Sequence, residues 1–203
     1  MPSTEQDPGA RLRMITVAER LFAERGLDAV SMRLVATEAG QRNNSAVAYH
    51  FGSREGLVRA ILEHRSGPID ARRCELIAEI DATGHAITVA EASRILVQPM
   101  AETVSSVEHD WYLRFLAEAT SEPDHHLTVP TQPRGIVWVN EKLAAQMSDQ
   151  PPTVVRRRLR WMVVIALRVL ADHEQIALTG GAPTVDDVVS DLTRTLTALL
   201  NPR

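Results

Sequence analysis

Apolar residues recur along this chain at steps of three and four, and no alternating apolar–polar run lasts more than a few residues. That periodicity belongs to helices packed on one face, so the pattern predicts an all-α chain of about nine helices. The first helix covers about residues 10–25, with Ile15, Ala18, Leu21 and Phe22 on one face and Gly26 as its stop. Ser31 is a suitable N-cap for a second helix that carries Val35, Ala36 and Ala39 inward and ends at Gly40. A third, short helix lies near residues 44–50. Ser53 caps a fourth, with Leu57, Val58, Ile61 and Leu62 on its inner side. Gly67 and Pro68 interrupt that helix, and a kink or break is expected there because proline removes a donor and clashes one turn back.

Further on, Thr88-Val-Ala-Glu91 has the form of a capping box and opens a helix to about Val97, before Pro99. Helices over about 107–120, 135–147 and 153–178 follow, with a proline-rich loop over 121–133. The last helix starts at Thr184 and repeats Val185, Val188, Val189, Leu192, Leu196 and Leu199 at helical spacing. Asn201 and Pro202 mark its end.

Residues 31–51, SMRLVATEAGQRNNSAVAYHF, place two short helices around a tight corner at Gly40. Ala36 lets the pair approach closely, and glycine adopts positive φ at the corner at little cost. The second of these helices has apolar Ala46 and Val47 to face inward, and polar Asn43, Asn44, Ser45, Tyr49 and His50 to face out. A short helix with a polar outer face fits the major groove of DNA, which is about 12 Å wide.

These residues resemble the TetR family of bacterial transcriptional regulators. Ala18, Phe22, Gly26, Ser31, Val35, Ala36, Ala39, Gly40, Tyr49, His50 and Phe51 carry the resemblance, and Ser53-Arg54-Glu55-Gly56-Leu57 is similar to the family's opening of helix four. The resemblance covers about residues 10–62. It implies a ligand-responsive regulator, of repressor type, that binds a palindromic double-stranded DNA operator as a homodimer and is released by a small-molecule effector. It also implies that helices eight and nine pair with their mates. The organisation expected is a flexible arm over residues 1–9, a helix-turn-helix unit over 10–56, and an effector-binding and dimerisation domain over 57–203. Three positions depart from the family's commonest pattern: Gln41, Arg42 and Ala48, the last standing where a phosphate-contacting tyrosine is frequent.

Candidate DNA contacts are Arg33, Arg42, Asn43, Asn44, Ser45, Tyr49, His50, Ser53 and Arg54. Arg42 and Asn43 stand at the start of the recognition helix, where Arg can bridge guanine O6/N7 and Asn adenine N6/N7. Tyr49, His50 and Arg54 come later, nearer the phosphates, and Ser53 with the first N–H groups of helix four can also take a phosphate. Arg11 and Arg13 can approach an adjacent backbone. Each has a structural alternative: Tyr49 packed against helix one, His50 a structural hydrogen-bonder, Asn43 or Asn44 a helix cap, and Arg11 and Arg13 plain solvated charges.

Composition changes this picture little. A net charge of −4 does not suggest a phosphate partner. The sum conceals a net +1 over residues 1–65 and −5 over the remainder, and DNA affinity depends on where the cations lie. The lone Cys74 excludes an internal disulfide and a multi-cysteine metal site. The first ten residues contain no apolar leader, which with the lone cysteine points to a cytoplasmic protein. Adjacent His125 and His126 lack ligand spacing, so no metal and no cofactor are expected.

The second half concentrates five of the eight aromatics. Met100, Trp111, Phe115, Trp138 and Met162 are candidate lining for a small apolar or aromatic effector, with ordinary core as the alternative. Arg114 and Glu118, one turn apart, either orient a ligand or form a surface ion pair. The run Arg156–Arg158 with Arg160 is a solvated face or an anion or partner contact. Residues 159–171 are apolar at eleven of thirteen positions. A helix of that length spans about 20 Å, short of the roughly 30 Å of a bilayer core. Its excess of apolar surface points to a dimer interface, with Val163, Leu167, Val189, Leu192 and Leu196 as candidates. A helical interaction protein whose trihelical unit does not bind DNA is the second reading. An all-α enzyme is the third, although the chain contains no P-loop, glycine-rich dinucleotide loop, nucleophile elbow or zinc-protease motif.

Overall fold

The structure, a computed structural model, describes residues 8–43, 45–104, 110–121 and 133–200. Among the described residues every regular element is a helix: α1 (Pro8–Arg25), α2 (Met32–Glu38), α3 (Ala46–Phe51), α4 (Arg54–Asp81), α5 (Val89–Val104), α6 (Tyr112–Ser121), α7 (Arg134–Gln146), α8 (Pro152–Thr179) and α9 (Val185–Leu200). The caps form as their side chains dictate. Ser31 accepts from Leu34 N (3.1 Å) and Ser53 from Gly56 N (3.2 Å). Thr88 and Glu91 close the capping box, with Glu91 N donating to Thr88 Oγ1 and Thr88 N to Glu91 Oε2. Thr184 accepts from Asp187 N at the start of α9.

Two prolines act differently from the sequence expectation. The break expected at Gly67–Pro68 does not occur: α4 runs unbroken through Pro68. Both residues are exposed, as is His64, whose carbonyl loses its helical donor to the proline. Leu57, Ile61, Ile69 and Leu76 anchor the helix on both sides of the defect. Likewise α5 does not end before Pro99 but continues to Val104, with Pro99 itself buried. Dense packing of α5 against α9 holds it in register. The helix expected from residue 107 begins at Tyr112, and residues 105–109 lie outside the described residues. So do most of the predicted 121–133 loop with His125 and His126, the expected end at Asn201 and Pro202, and most of the predicted arm.

One continuous apolar core runs from Met14 and Phe22 in α1 to Leu196 in α9. The Phe22 and Phe115 rings stack with centroids 6.1 Å apart and join α1 to α6. Two glycines permit close approaches. A Cβ on Gly56 would lie 1.9 Å from the Phe51 carbonyl oxygen, so α4 can begin directly against the end of α3. A Cβ on Gly135 would lie 2.8 Å from Arg73 Cβ, where α7 crosses α4.

Candidate nucleic-acid interface

The reading unit is built by α2 and α3, held against α1 and the first turns of α4. Val35, Ala36, Ala39 and Val47 are buried and fix the α2–α3 angle. Gly40 turns the corner at φ +69°, with Gln41 N donating back to Ala36 O (2.9 Å). Because α3 has only six residues, nearly all its outward side chains are available to a partner. Arg33 and Arg42 are exposed and have no ion-pair or hydrogen-bond partner among the described residues. Tyr49 is 67% exposed and touches His50 edge-on at 5.3 Å. It is therefore not buried against α1.

Other candidates are committed locally. Asn43 Oδ1 accepts from Ser45 N (2.9 Å), so the side chain opens α3 and only its amide donors remain. Arg54 donates to Val30 O (3.1 Å) and Asp28 Oδ1 (3.3 Å), clasping α4 to the segment before α2. Ser53 uses its oxygen to cap α4, and only its hydroxyl proton is left. Ser45 is exposed and makes no cap bond of its own. His50 is half-buried beside Phe51, over whose ring Arg11 also lies (5.2 Å). Asn44 lies outside the described residues. The nearest thing to a free, outward set is thus Arg33, Arg42, Ser45 and Tyr49. Spacing showed their direction; that Arg54 and Asn43 turn back on the fold depended on neighbours remote in sequence or on the local turn.

Behind the reading unit the charged residues are enclosed. Arg65 of α4 bridges Glu19 of α1 (3.5 Å) and Asp110, and its guanidinium lies over the Tyr112 ring (5.0 Å). Burial pushes Glu19 up to about 7, against the lowering effect of Arg65 and with a further push from Asp110. Burial likewise raises Glu174 to about 8, although its carboxylate accepts from Leu113 N and Arg114 N at the start of α6.

The candidate effector residues do not form one wall. Met100, Phe115 and Met162 are buried in the core, and Phe115 packs on Phe22. Trp138 is half-buried under Lys142, and Trp111 lines a surface cleft between α1, α6 and α8. Of the candidate dimer residues, Leu167, Val189, Leu192 and Leu196 are buried in the chain's own core, leaving only Val163 exposed (37%). The physical reason is that α9 turns its whole apolar stripe onto α5. The apolar side chains left outside are on α8, chiefly Trp161, Val164, Val169 and Ile176. Among the described residues no helix is long and apolar enough to cross a membrane, and no group of three metal-ligating side chains assembles.

Residues 14–61, which contain this unit, match the family model described as bacterial regulatory proteins, tetR family. Over 75 residues the chain is 35% identical to the HTH-type transcriptional repressor KstR2 of Rhodococcus jostii. That match spans 37% of this chain and only 36% of the relative's length. A probable transcriptional regulatory protein, RHA5900, shares the fold with a TM-score of 0.57, 21% identity, and coverage of 95% of this chain and all of that one. The fatty acid degradation regulator FadR of Bacillus halodurans does so with a TM-score of 0.51 and 14% identity, over 98% of both chains. At such identities the likeness to solved structures shows the fold.

Proposed function

From the premise that the chain belongs, through its N-terminal unit, to the TetR family of bacterial regulatory proteins, we propose that it is a transcriptional repressor. It binds a palindromic double-stranded DNA operator as a homodimer, is released by a small-molecule effector, and works in the cytoplasm without a catalytic step. Residues 10–56 read DNA, and residues 57–203 bind the effector and dimerise. One observation carries this reading: Arg33 and Arg42 stand exposed without acidic partners beside exposed Ser45 and Tyr49, on a face whose other side is wholly core. Unpaired guanidinium groups on α2 and on the turn that leads into α3 suit base edges and phosphates. In the half behind, Arg65, Arg72 and Arg73 lie against carboxylates, while Arg156, Arg157 and Arg160 on α8 are exposed without an ion-pair partner among the described residues.

Self-association finds support in α8. Trp161, Val164, Arg168, Asp172 and Ile176 follow one another at steps of three and four residues, so they lie on one stripe. Trp161, Val164 and Ile176 are 46%, 50% and 45% exposed. Two such stripes from two copies bury each other, as a two-fold interface requires.

Genomic fragments captured by the purified protein, followed by fluorescence anisotropy at fixed salt, test the reading. Saturable binding to an inverted repeat is expected, with affinity lowered about 5- to 100-fold by Arg42→Ala or Tyr49→Ala at unchanged helix content. Equal affinity for every sequence at all salt concentrations would overturn it and favour the helical interaction protein.

A further inference from the structure

The cleft between α1, α6 and α8 encloses about 450 Å³, within the range of small-molecule sites. Ala23, Ala117 and Ala171 give it a small apolar lining, to which Trp111 adds an indole. Its charged residues fall into two kinds. Arg168 closes on Asp172 (3.2 Å), and Glu24 closes on Arg20 (3.4 Å). Arg114 and Glu118 do not close. They stand one turn apart on α6 and both line the cleft, yet no ion pair joins them. The Glu118 carboxylate has no hydrogen-bond or ion-pair partner among the described residues. It lies beside Gly26, where α1 ends and the reading unit turns.

Arg114 is held in place without being neutralised. Its guanidinium stacks on Trp111, 4.3 Å from the ring centroid. Nε and Nη2 have no hydrogen-bond acceptor, and the nearest carboxylate, Glu174, is 3.6 Å from Nε. Burial raises Glu174 to about 8, which weakens its hold on the Arg114 charge. One cation without a hydrogen-bond acceptor on Nε and Nη2 and one carboxylate without a partner therefore share a single wall.

We propose that this cleft binds a small zwitterion of amino-acid size, its carboxylate facing Arg114, its ammonium facing Glu118, and its apolar part against Trp111 and the three alanines. The occupant touches Ala23 and Glu24 at the end of α1. If the regulator reading above holds, it is thereby an effector placed where sensor and reader meet; its binding to the protein does not depend on that reading.

The test uses the full chain without DNA and the standard amino acids at millimolar concentration, followed by thermal shift and calorimetric titration. At least one is expected to bind saturably. The corresponding amine lacking the carboxylate, and the corresponding acid lacking the ammonium, are expected to bind about tenfold more weakly or worse. Glu118→Gln should weaken binding about tenfold with unchanged melting temperature, Arg114→Lys should weaken it at least as much, and Glu24→Gln, whose carboxylate is already paired, should change it less than twofold. No saturable response to any amino acid would overturn the proposal. So would equal binding of the zwitterion and its half-charged analogues, or binding indifferent to both Glu118→Gln and Arg114→Lys. A bound zwitterion that leaves DNA affinity unchanged would refute its role as effector and leave the site standing. Absence of any specific DNA binding would refute the regulator reading alone.

Discussion

The reading unit and the helical half behind it share one apolar core, but their most enclosed and most exposed cations are used differently. On the outer face of α2 and α3, Arg33 and Arg42 project into solvent without partners. Behind, Arg65 and Arg73 are drawn inward against Glu19, Asp110 and Asp70, while Arg156, Arg157 and Arg160 on α8 stay exposed. A guanidinium kept in solvent retains its field for an incoming phosphate, whereas one placed among carboxylates ties helices together. The difference teaches that the overall charge of −4 is the wrong quantity to consult: direction, not count, separates a cation that reads from one that fastens.

The largest expected effect tests whether the two regions are one body. Phe115 is fully buried and stacks on Phe22, so Phe115→Ala should cost about 3–5 kcal/mol. Urea unfolding followed by circular dichroism and by a label on α3 should show both regions melting in one transition. Separate transitions would break the shared-core side of the comparison. Next comes the α3–α4 corner. Gly56→Ala forces a methyl onto the Phe51 backbone and should cost about 1–3 kcal/mol, lowering DNA affinity with it because α3 is displaced. Unchanged stability would show that the corner yields where the geometry indicates contact.

The enclosed carboxylates make a pH prediction. In the folded chain Glu19 and Glu174 titrate near 7 and 8, above the 4.5 of an exposed glutamate. Between those values the folded state holds more protons than the unfolded state. The stability they confer is therefore complete below about 4.5 and is lost as pH rises toward 7 to 8. Each group contributes a change of at most a few kcal/mol. Glu19 faces Arg65, Asp110 and Tyr112, and Glu19→Gln should flatten its part of the slope in denaturation midpoints measured across that range. A slope unchanged in Glu19→Gln would remove Glu19 from the account. The smallest effect is at the surface. Arg20 reaches Glu24 and Glu38 while a third exposed, so Arg20→Ala should shift stability by no more than about 1 kcal/mol, and less at high salt. A larger loss would mean that the reading unit also uses charge to fasten itself.

Local chemistry made the reading unit legible. Ser31, Gly40 and Ser53 act as caps and corner through groups two to four residues away, and the inward set Val35, Ala36 and Val47 follows from spacing alone. The same local logic misjudged the end of α5 at Pro99, and α4 does not break at Pro68, because packing against distant helices outweighs one missing donor in each. Of the interface candidates it named on α8 and α9, Leu167, Val189, Leu192 and Leu196 also serve the chain's own core.

Sequence by itself determined the all-helical class, the caps, and the polar outer face of α3, since these depend on period and neighbours along the chain. Only the tertiary structure decided that Arg54 fastens while Arg42 stays free, that α8 rather than α9 shows an apolar stripe, and that Arg114 and Glu118 face one cleft unpaired. Each of those turns on residues tens of positions apart, and burial and pairing are properties of what arrives opposite a side chain, which no local spacing specifies.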